Sequence, residues 1–509
     1  LAALAACWIL LTPPGGGPDE ASHLTRSGGV VRGDLEGDDI DGSRGRGFEL
    51  PDRYLVPDAG CYAQQPTVPA TCAPDPQRSG STVVLTSSAY DYPVWAHAVT
   101  GVPILLPGLD PVWWARIGGA AVSVALVAAS LRIAGRRGHG LLAPAIVLAV
   151  TPMAWFSFAV VNPSGIAAAG AIALWTGVLA SGGAGRSASV GWLATAGWVA
   201  LALPRRDGLI WAAVVLVFAL AATGRPLLAW LRSLPRAGLA LVAASTVVAV
   251  VWGVTRDSRS SQLSALAPLL VVAAEAVRVR WSRAPGRASR LGLAAAVTAA
   301  GGVAALFVLT TRPGGLDWNH TARVIGESGN NLVEAIGVLG WLDVVLPWIA
   351  VVAWVAVLGV LAAVSLLDSG RPLALAAALL AVALVTSWTF ELYSGNESGT
   401  YWQGRYSLPL LAGIPLLLAA GARRSSPPAR AVVLVGPLAV LNVAAWSAAR
   451  RFAVGIDGSL LPWEWDGAVA WAPPWVVLVA HAAASGALAL ALTEREGADR
   501  SDRAQVTPG

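Results

Sequence analysis

Charged residues are scarce in this chain of 509 residues, because Asp, Glu, Lys and Arg together make up only 13% of it. Ordinary soluble proteins carry roughly 25%. Lysine is absent, so all 35 basic residues are arginine. A soluble protein of this length needs a well-charged surface, which excludes a cytosolic enzyme, and the high apolar content excludes a disordered protein and a secreted disulfide scaffold. The long apolar runs, in a chain that is 55% hydrophobic, instead predict an integral membrane protein.

The spacing of the apolar runs predicts an all-α fold, a polytopic transmembrane helical bundle with about twelve to fourteen spans. Several runs are shorter than the roughly 20 residues that cross a bilayer, and these are candidates for half-spans. We expect four parts: a truncated first span at 1–12, a large first extracytoplasmic loop with short helices at 13–110, the multi-span bundle at 111–492 and a disordered cytoplasmic tail at 493–509.

The distribution of charge predicts the orientation. The short loop at 278–290 carries five arginines, whereas most acidic residues lie in 13–110 and in the other long loops. Because arginine concentrates on the cytoplasmic side, we expect a bacterial cytoplasmic membrane protein with both termini inside. The net charge of +5 is scattered over short loops, which argues against a nucleic-acid partner and leaves membrane lipid as an expected one.

Cysteine is scarcer still, with three residues in the chain. Cys7 lies in the first apolar run, and Cys61 and Cys72 lie in the first long loop. If that loop is extracytoplasmic, a disulfide between Cys61 and Cys72 is one alternative, and two reduced thiols are the other.

A cluster of polar residues follows the first apolar run, at Pro18-Asp19-Glu20-Ala-Ser-His23. Proline can open a helix, and on that helix Asp19 and Glu20 lie within one turn of His23. A carboxylate at the membrane surface beside a histidine can act as a general base. Asp19 and Glu20 could alternatively hold a divalent metal such as Mg²⁺ or Mn²⁺, or simply cap the helix.

A second cluster, Gln403-Gly404-Arg405-Tyr406, leads into an apolar run near the end of the chain. An arginine at the outer boundary can bind a lipid phosphate through paired hydrogen bonds, or it can serve as an interfacial anchor. Two outer turns carry further candidates, Asn162 in one and Arg205 with Arg206 in the other, although an ordinary turn is the favoured interpretation of each. Charged residues in the middle of the runs are almost absent, which disfavours an ion-coupled transporter.

These clusters, in this order, resemble a family of bacterial membrane proteins known as domain of unknown function 2142. The resemblance rests on Pro13-Pro14, Pro18-Asp19-Glu20-Ala-Ser-His23, Tyr92-Pro93, Asn162-Pro163 and Gln403-Gly404-Arg405-Tyr406. Its most specific parts are the P-D-E-x-x-H and Q-G-R-Y segments. One departure is Val94, which stands where a second proline is expected after Tyr92-Pro93.

The family in turn looks like the C-type (GT-C) superfamily of membrane glycosyltransferases, and this resemblance implies a GT-C-like fold and activity. Such enzymes carry an acidic residue just after the first span and use polyprenyl-phosphate-linked sugars as donors. By resemblance Asp19 is the catalytic base, with Glu20 as its support or as a metal ligand. Arg405 would bind the donor phosphate and Arg206 is a weaker candidate for the same role.

The implied reaction moves a sugar from polyprenyl phosphate to an extracytoplasmic glycan or protein acceptor by direct inverting displacement. The outer face of a bacterial inner membrane has no supply of nucleotide sugars, so a donor that arrives through the bilayer is physically reasonable. Two other functions stay open, a lipid-linked glycan transporter or flippase and a non-catalytic membrane partner of envelope assembly enzymes.

Overall fold

The computed structural model describes residues 1–136, 140–182, 187–256, 259–282, 301–302, 317–394, 401–422, 426–465 and 472–506. Helices dominate these residues and confirm the predicted all-α, polytopic class. The predicted span at 291–309 lies outside the described residues, 301–302 excepted, as does most of the arginine-rich loop before it.

The described helices are named in chain order. They are α1 (Ala2–Leu11), α2 (Glu20–Val30), α3 (Val94–Gly101), α4 (Pro111–Arg136), α5 (Leu142–Ala149), α6 (Pro152–Ala159), α7 (Pro163–Ala180), α8 (Ala188–Ala202), α9 (Gly208–Thr223), α10 (Leu227–Leu231), α11 (Arg236–Val254), α12 (Arg259–Ala265), α13 (Ala267–Ser282), α14 (Trp318–Gly326), α15 (Ser328–Gly337), α16 (Trp348–Asp368), α17 (Gly370–Ser394), α18 (Leu408–Leu411), α19 (Gly413–Gly421), α20 (Pro427–Val454) and α21 (Pro474–Val506). Short 3₁₀ turns lie at Asp52–Tyr54, Ala59–Cys61, Ala70–Cys72, Val102–Leu105, Gly404–Ser407 and Pro462–Glu464.

The described residues contain fewer helices long enough to cross a membrane than the sequence predicts for the whole chain. Within the described residues eight helices have the length and apolar character of a span, or nine if α5 and α6, bent by 65° at Thr151, count as one. Other predicted spans fold as shorter helices, among them α8 and α9. These can be short because they pack inside the bundle around α7, whose residues are all buried.

The first long loop folds on a small sheet, which the sequence did not predict. Strands Asp38–Asp39 (β1), Arg46–Pro51 (β2) and Thr82–Ser87 (β3) pair antiparallel in the order β1-β2-β3. Phe48 on β2 is fully buried against α2. Gly28 and Gly29 lie inside this helix, which ends at Val30, and their missing side chains leave room for the sheet. A Cβ at Gly29 would lie 2.5 Å from the Phe48 ring.

The first loop also packs against the far end of the chain. A disulfide joins Cys61 and Cys72. Next to it, Arg451 near the end of α20 donates to the carbonyl oxygens of Tyr62, at 2.7 Å, and Val68, at 2.8 Å. Arg451 also pairs with Asp343, which lies in the turn between strands β4 (Val338–Leu339) and β5 (Val344–Val345). These contacts hold the first loop against later loops.

The end of the chain differs from its prediction. We expected a disordered tail from residue 493, whereas α21 runs through to Val506. The segment contains Arg, Glu, Ala and Gln, which favour helix, and no proline, so the last span continues past its apolar part without a break.

Candidate functional site

The two most specific sequence clusters meet in space. Arg405 Nη2 donates to Asp19 Oδ2 at 3.1 Å, across 386 residues of sequence. The Asp19 side chain is 48% exposed, whereas that of Arg405 is 4% exposed. The pair therefore offers one carboxylate open to solvent and one guanidinium held inside the protein.

Asp19 has an unusual backbone conformation at the start of α2. Asp19 is the N-cap residue of α2, and its φ of 62° is in the left-handed region that non-glycine residues seldom adopt. Its carbonyl oxygen accepts from His23 N at 2.9 Å, but its side chain makes no capping hydrogen bond. The carboxylate is thus free of the simple helix-capping role that the sequence left open.

Glu20 occupies a very different environment from its neighbour. It is fully buried, and Arg116 donates to it twice, from Nε to Oε1 at 2.8 Å and from Nη2 to Oε2 at 2.6 Å. The backbone amides of Gly15 and Val161 each donate to one of its oxygens at 3.0 Å. With all of these contacts inside the protein, Glu20 anchors the loop before α2 and has no oxygen directed at the exposed Asp19 site.

Arg116 completes the same anchor. Its guanidinium also donates to the carbonyl oxygens of Thr12, at 2.6 Å, and Pro13, at 2.8 Å. These residues connect α1 to α2, so one buried side chain on α4 holds the whole connection. The position of Asp19 therefore depends on a buried ion pair one residue away.

Two further arginines surround the pair from the turn between α8 and α9. Arg205 forms a bidentate pair with Asp207, and its guanidinium carbon lies 4.7 Å from the centre of the Tyr406 ring. Arg405 stacks on the same ring at 5.1 Å. Tyr406 thus lies between two cations that cannot lose their charge at physiological pH.

The neighbouring Arg206 is held by the segment before α3. It pairs with Asp91, and its guanidinium lies 4.6 Å from the centre of the Tyr92 ring. The Tyr92 ring in turn meets the ring of His23 edge-on at 5.3 Å. The Tyr-Pro segment of the sequence therefore forms part of the site.

His23 is a neutral member of this cluster. It is buried, and its Nδ1 lies 3.1 Å from Nε2 of His97 on α3, so a single proton joins the two rings. Burial, reinforced by the positive charges of Arg405, Arg205 and Arg206, lowers the pKa of His23 to about 3. Burial also lowers the pKa of His97 well below its ordinary range.

The segment before Arg405 is fixed by two glutamates, Glu391 and Glu334. Glu391 accepts a hydrogen bond from the backbone amide of Trp402, and Glu334 on α15 accepts from Gly404 N at 2.8 Å. Burial raises the pKa of Glu334, although the Gly404 amide and Arg405 act in the opposite direction. Gln403 lies between the two held amides, beside the site.

Asn162 connects the start of α7 with the loop that carries Asp19. Its Oδ1 accepts from Ser164 N at 2.9 Å and caps α7, while its Nδ2 donates to the carbonyl oxygen of Pro18 at 3.4 Å. Asn162 thus ties the start of a buried helix to the residue before Asp19. This contact gives it a positioning role near the site.

The structure brings together six of the residues predicted from the sequence, and it places the others around them. The six are Asp19, His23, Arg205, Arg206, Arg405 and Tyr406. Glu20 and Asn162 lie in the supporting layer, and Cys61 with Cys72 belongs to the structure of the loop itself. His97, Glu334 and Arg116 were missed, although an arginine close to the start of an apolar run was a visible signal for Arg116.

A divalent metal does not fit the predicted ligands. Both Glu20 oxygens are taken up by Arg116 and backbone amides, and the Asp19 carboxylate contacts a cation. Among the residues that the structure describes, no group of three or more His, Cys, Asp and Glu side chains is arranged to hold a metal ion.

Together, the fold and this cluster of charges define a polytopic helical membrane protein with a polar site where its loops meet. Comparison with known families gives a more specific assignment. Residues 3–266 match the family described as "Predicted membrane protein (DUF2142)", and since the match covers more than half of the chain, the protein belongs to that family. No curated protein matches the sequence.

Proposed function

We propose that the protein is a cell-envelope glycosyltransferase that moves a sugar from a polyprenyl-phosphate donor to an extracytoplasmic acceptor. The observation that carries the proposal is the contact between Asp19 and Arg405. A catalytic base and a phosphate-binding cation must act on atoms a few ångströms apart, and the two residues that the sequence assigns to these roles lie in one site.

The exposure of each residue suits its proposed role. The half-exposed Asp19 carboxylate can take the proton from the hydroxyl of an acceptor that arrives from solvent. The acceptor oxygen then forms a bond to the anomeric carbon as the bond from that carbon to the phosphate oxygen breaks. The polyprenyl phosphate leaves with the electron pair, and the anomeric configuration is inverted.

The buried arginines would stabilise the departing phosphate. Arg405 is 4% exposed, and within the described part of the chain no acceptor reaches its Nε. Donors fixed in a poorly solvated site stabilise developing negative charge far better than donors in water. A bound phosphate that takes over Arg405 would also release the Asp19 carboxylate for its role as base.

The location of the site agrees with a lipid-linked donor. Arg405 lies at the start of a candidate span, Gly404–Gly421, so a phosphate that it binds can keep its polyprenyl chain in the bilayer. In this proposal the protein lies in the bacterial cytoplasmic membrane, with the first loop and the site outside and both termini inside.

A transfer assay with purified protein tests the proposal. We would incubate the full chain in lipid nanodiscs with radiolabelled polyprenyl-phosphate sugars and a cell-envelope glycan extract as acceptor. We expect label transfer, reduced about 10²-fold or more by Asp19→Asn, in line with the loss of a general base. Asp41→Asn, which removes an exposed carboxylate of the same loop, should have no effect. Transfer that survives Asp19→Asn would remove Asp19 from the mechanism.

A further inference from the structure

A cavity outside the Asp19 and Arg405 site lies between the first loop, the β4–β5 turn and the end of α20. It has a volume of about 590 Å³, within the range of roughly 300–1,000 Å³ that is usual for ligand sites. The residues that matter for its chemistry are Gln64, Trp341, Asp343, Trp446, Ser447 and Arg451. The reaction proposed above uses none of them.

The walls of this cavity are rigid. Arg451 and Asp343 form an ion pair at 2.5 Å with both side chains 1% exposed. Asp343 also accepts from the backbone amide of Trp341 at 3.1 Å, which fixes the turn that carries the indole. A cavity with walls fixed in this way loses little conformational entropy when it takes up a ligand.

Strained backbone is concentrated here. Among the described residues, three that are not glycine have positive φ, and two of them, Gln64 (61°) and Leu342 (63°), line this cavity. The third is Asp19. Such residues cost free energy and cluster at ligand sites, where the strain holds a side chain or a backbone group in place.

Two buried donors in the cavity wall are unused. Within the described residues no acceptor reaches the hydroxyl of Ser447 or the Nε–H of Arg451. Both residues are more than nine-tenths buried. An unmade hydrogen bond in a buried position is costly, so a small rotation that brings either group to an oxygen acceptor on a ligand in the adjoining cavity would be favourable.

Two indole rings supply the apolar part of the cavity. Trp341 and Trp446 are both partly exposed, and the Trp446 ring has the guanidinium of Arg450 5.6 Å from its centre. The charge of Arg451 is already neutralised by Asp343, and Arg450 donates to the carbonyl oxygens of Gly458 and Ser459. The cavity thus combines flat aromatic faces with hydrogen-bond donors and one positive charge, that of Arg450, which neutral carbonyl oxygens do not cancel.

We infer that this cavity binds a saccharide. Sugar rings have apolar C–H faces that pack on indoles and hydroxyl oxygens that accept hydrogen bonds, which matches both features. The Trp341 indole donates to the carbonyl oxygen of Gly15 at 3.1 Å, and Gly15 N donates to Glu20, so the cavity shares a wall with the loop that carries Asp19. That the saccharide is the acceptor glycan rests on the proposed function, whereas saccharide binding itself does not.

Direct binding tests this inference without any transfer reaction. We would measure binding of fluorescently labelled maltotriose, mannotriose and chitotriose to the full chain in nanodiscs. We expect at least one to bind, and Trp446→Ala to weaken it tenfold or more. Trp463→Ala, which removes an indole that is 69% exposed outside the cavity, should leave binding unchanged. Ser447→Ala should weaken binding severalfold and serves as the second variant if Trp446→Ala does not fold.

Three outcomes would overturn the inference. They are no binding of any of the three sugars, binding that Trp446→Ala and Ser447→Ala leave unchanged, and displacement of the bound sugar by phosphatidylglycerol vesicles, which would indicate a lipid site. Asp19→Asn should bind the saccharide as the wild type does. If the wild type binds a saccharide but transfers no sugar, the proposed function fails and this inference stands. If the wild type transfers sugar but binds none of the three saccharides, this inference fails alone.

Discussion

At the scale of single residues, the neighbours Asp19 and Glu20 show how position decides the role of a carboxylate. Glu20 is buried with four hydrogen bonds, and both of its oxygens are occupied. Asp19 is 48% exposed and has Arg405 as its ion-pair partner. Their order along the chain does not distinguish them, because the partner of Glu20 is Arg116, almost a hundred residues away. Only the packing in the folded protein distinguishes Glu20, which anchors the loop, from Asp19, the candidate base.

The buried ion pair makes a stability prediction. Arg116→Met leaves the Glu20 carboxylate buried without its cation, which should destabilise the protein by about 3–5 kcal/mol. Arg26→Met is the matched control, because Arg26 is also fully buried but no hydrogen-bond acceptor among the described residues reaches its guanidinium. Thermal unfolding in detergent should show a large loss for the first variant and little or none for the second. Equal losses would contradict the anchoring role.

The buried His23 predicts a pH dependence. Its pKa is about 3 in the folded protein and about 6.5 in an unfolded chain. Below pH 6.5 the unfolded chain therefore binds a proton that the folded protein does not, so stability should decline as the pH falls. The melting temperature should decrease from pH 7 to pH 5.5, and less steeply in His23→Gln. A variant with the same slope as the wild type would contradict this account.

At the scale of elements, the segment 401–407 owes its position to close packing against α15. Gly404 lies so near this helix that a Cβ would be 2.3 Å from Ala335 N and 2.5 Å from Asn331 O. Glu334 holds the Gly404 amide from the same helix. Arg405 is therefore placed by α15, an element that the sequence analysis did not connect with it.

Gly404→Ala should consequently displace Arg405. We expect transfer activity to decrease tenfold or more, since a shift of about 1 Å at a site can cost two orders of magnitude. Gly329→Ala on α15 is the matched control, because a Cβ at Gly329 would meet nothing within 4 Å. Comparison of the two variants in the transfer assay checks the prediction, and equal activities would argue against positioning by close packing.

Elements also show how far the sequence could predict the site. Periodicity and motif order identified the helical class and the two clusters, because span length and the residue types needed for phosphate chemistry are local features. The contacts of His23 with His97 and of Gly404 with Glu334 connect distant segments, so no local pattern indicates them. The small sheet was missed because its glycines and acids resemble those of a polar loop.

At the scale of the whole molecule, loops from distant parts of the chain converge. Arg405 contacts Asp19, Arg206 contacts Asp91, and the indole of Trp341 contacts the carbonyl oxygen of Gly15. Each contact brings a later loop to the segment 13–110. These loops were assigned to one side of the membrane from the distribution of arginine, and that assignment stays a prediction.

The proposed orientation predicts an accessibility pattern. Ser43→Cys in the first loop and Ser369→Cys between α16 and α17 are both at exposed positions. In intact cells a membrane-impermeant maleimide should label Cys only at position 43, and permeabilised cells should show both. Cys7 is buried and the other two cysteines form a disulfide, so the background is low. Labelling of intact cells at position 369 and not at position 43 would show that the orientation is the opposite of the one proposed.

The central claim is that Asp19 and Arg405 act as one site, and a double-mutant cycle on transfer rate tests it most directly. Asp19→Asn and Arg405→Gln should each slow transfer about 10²-fold or more, and the double variant should be little slower than the slower single one, because residues that act as a unit are not additive. The exposed pair Arg78 and Asp110, at 2.8 Å, provides matched control variants that should leave the rate unchanged. Losses that multiply in the Asp19 and Arg405 double variant would contradict a shared site.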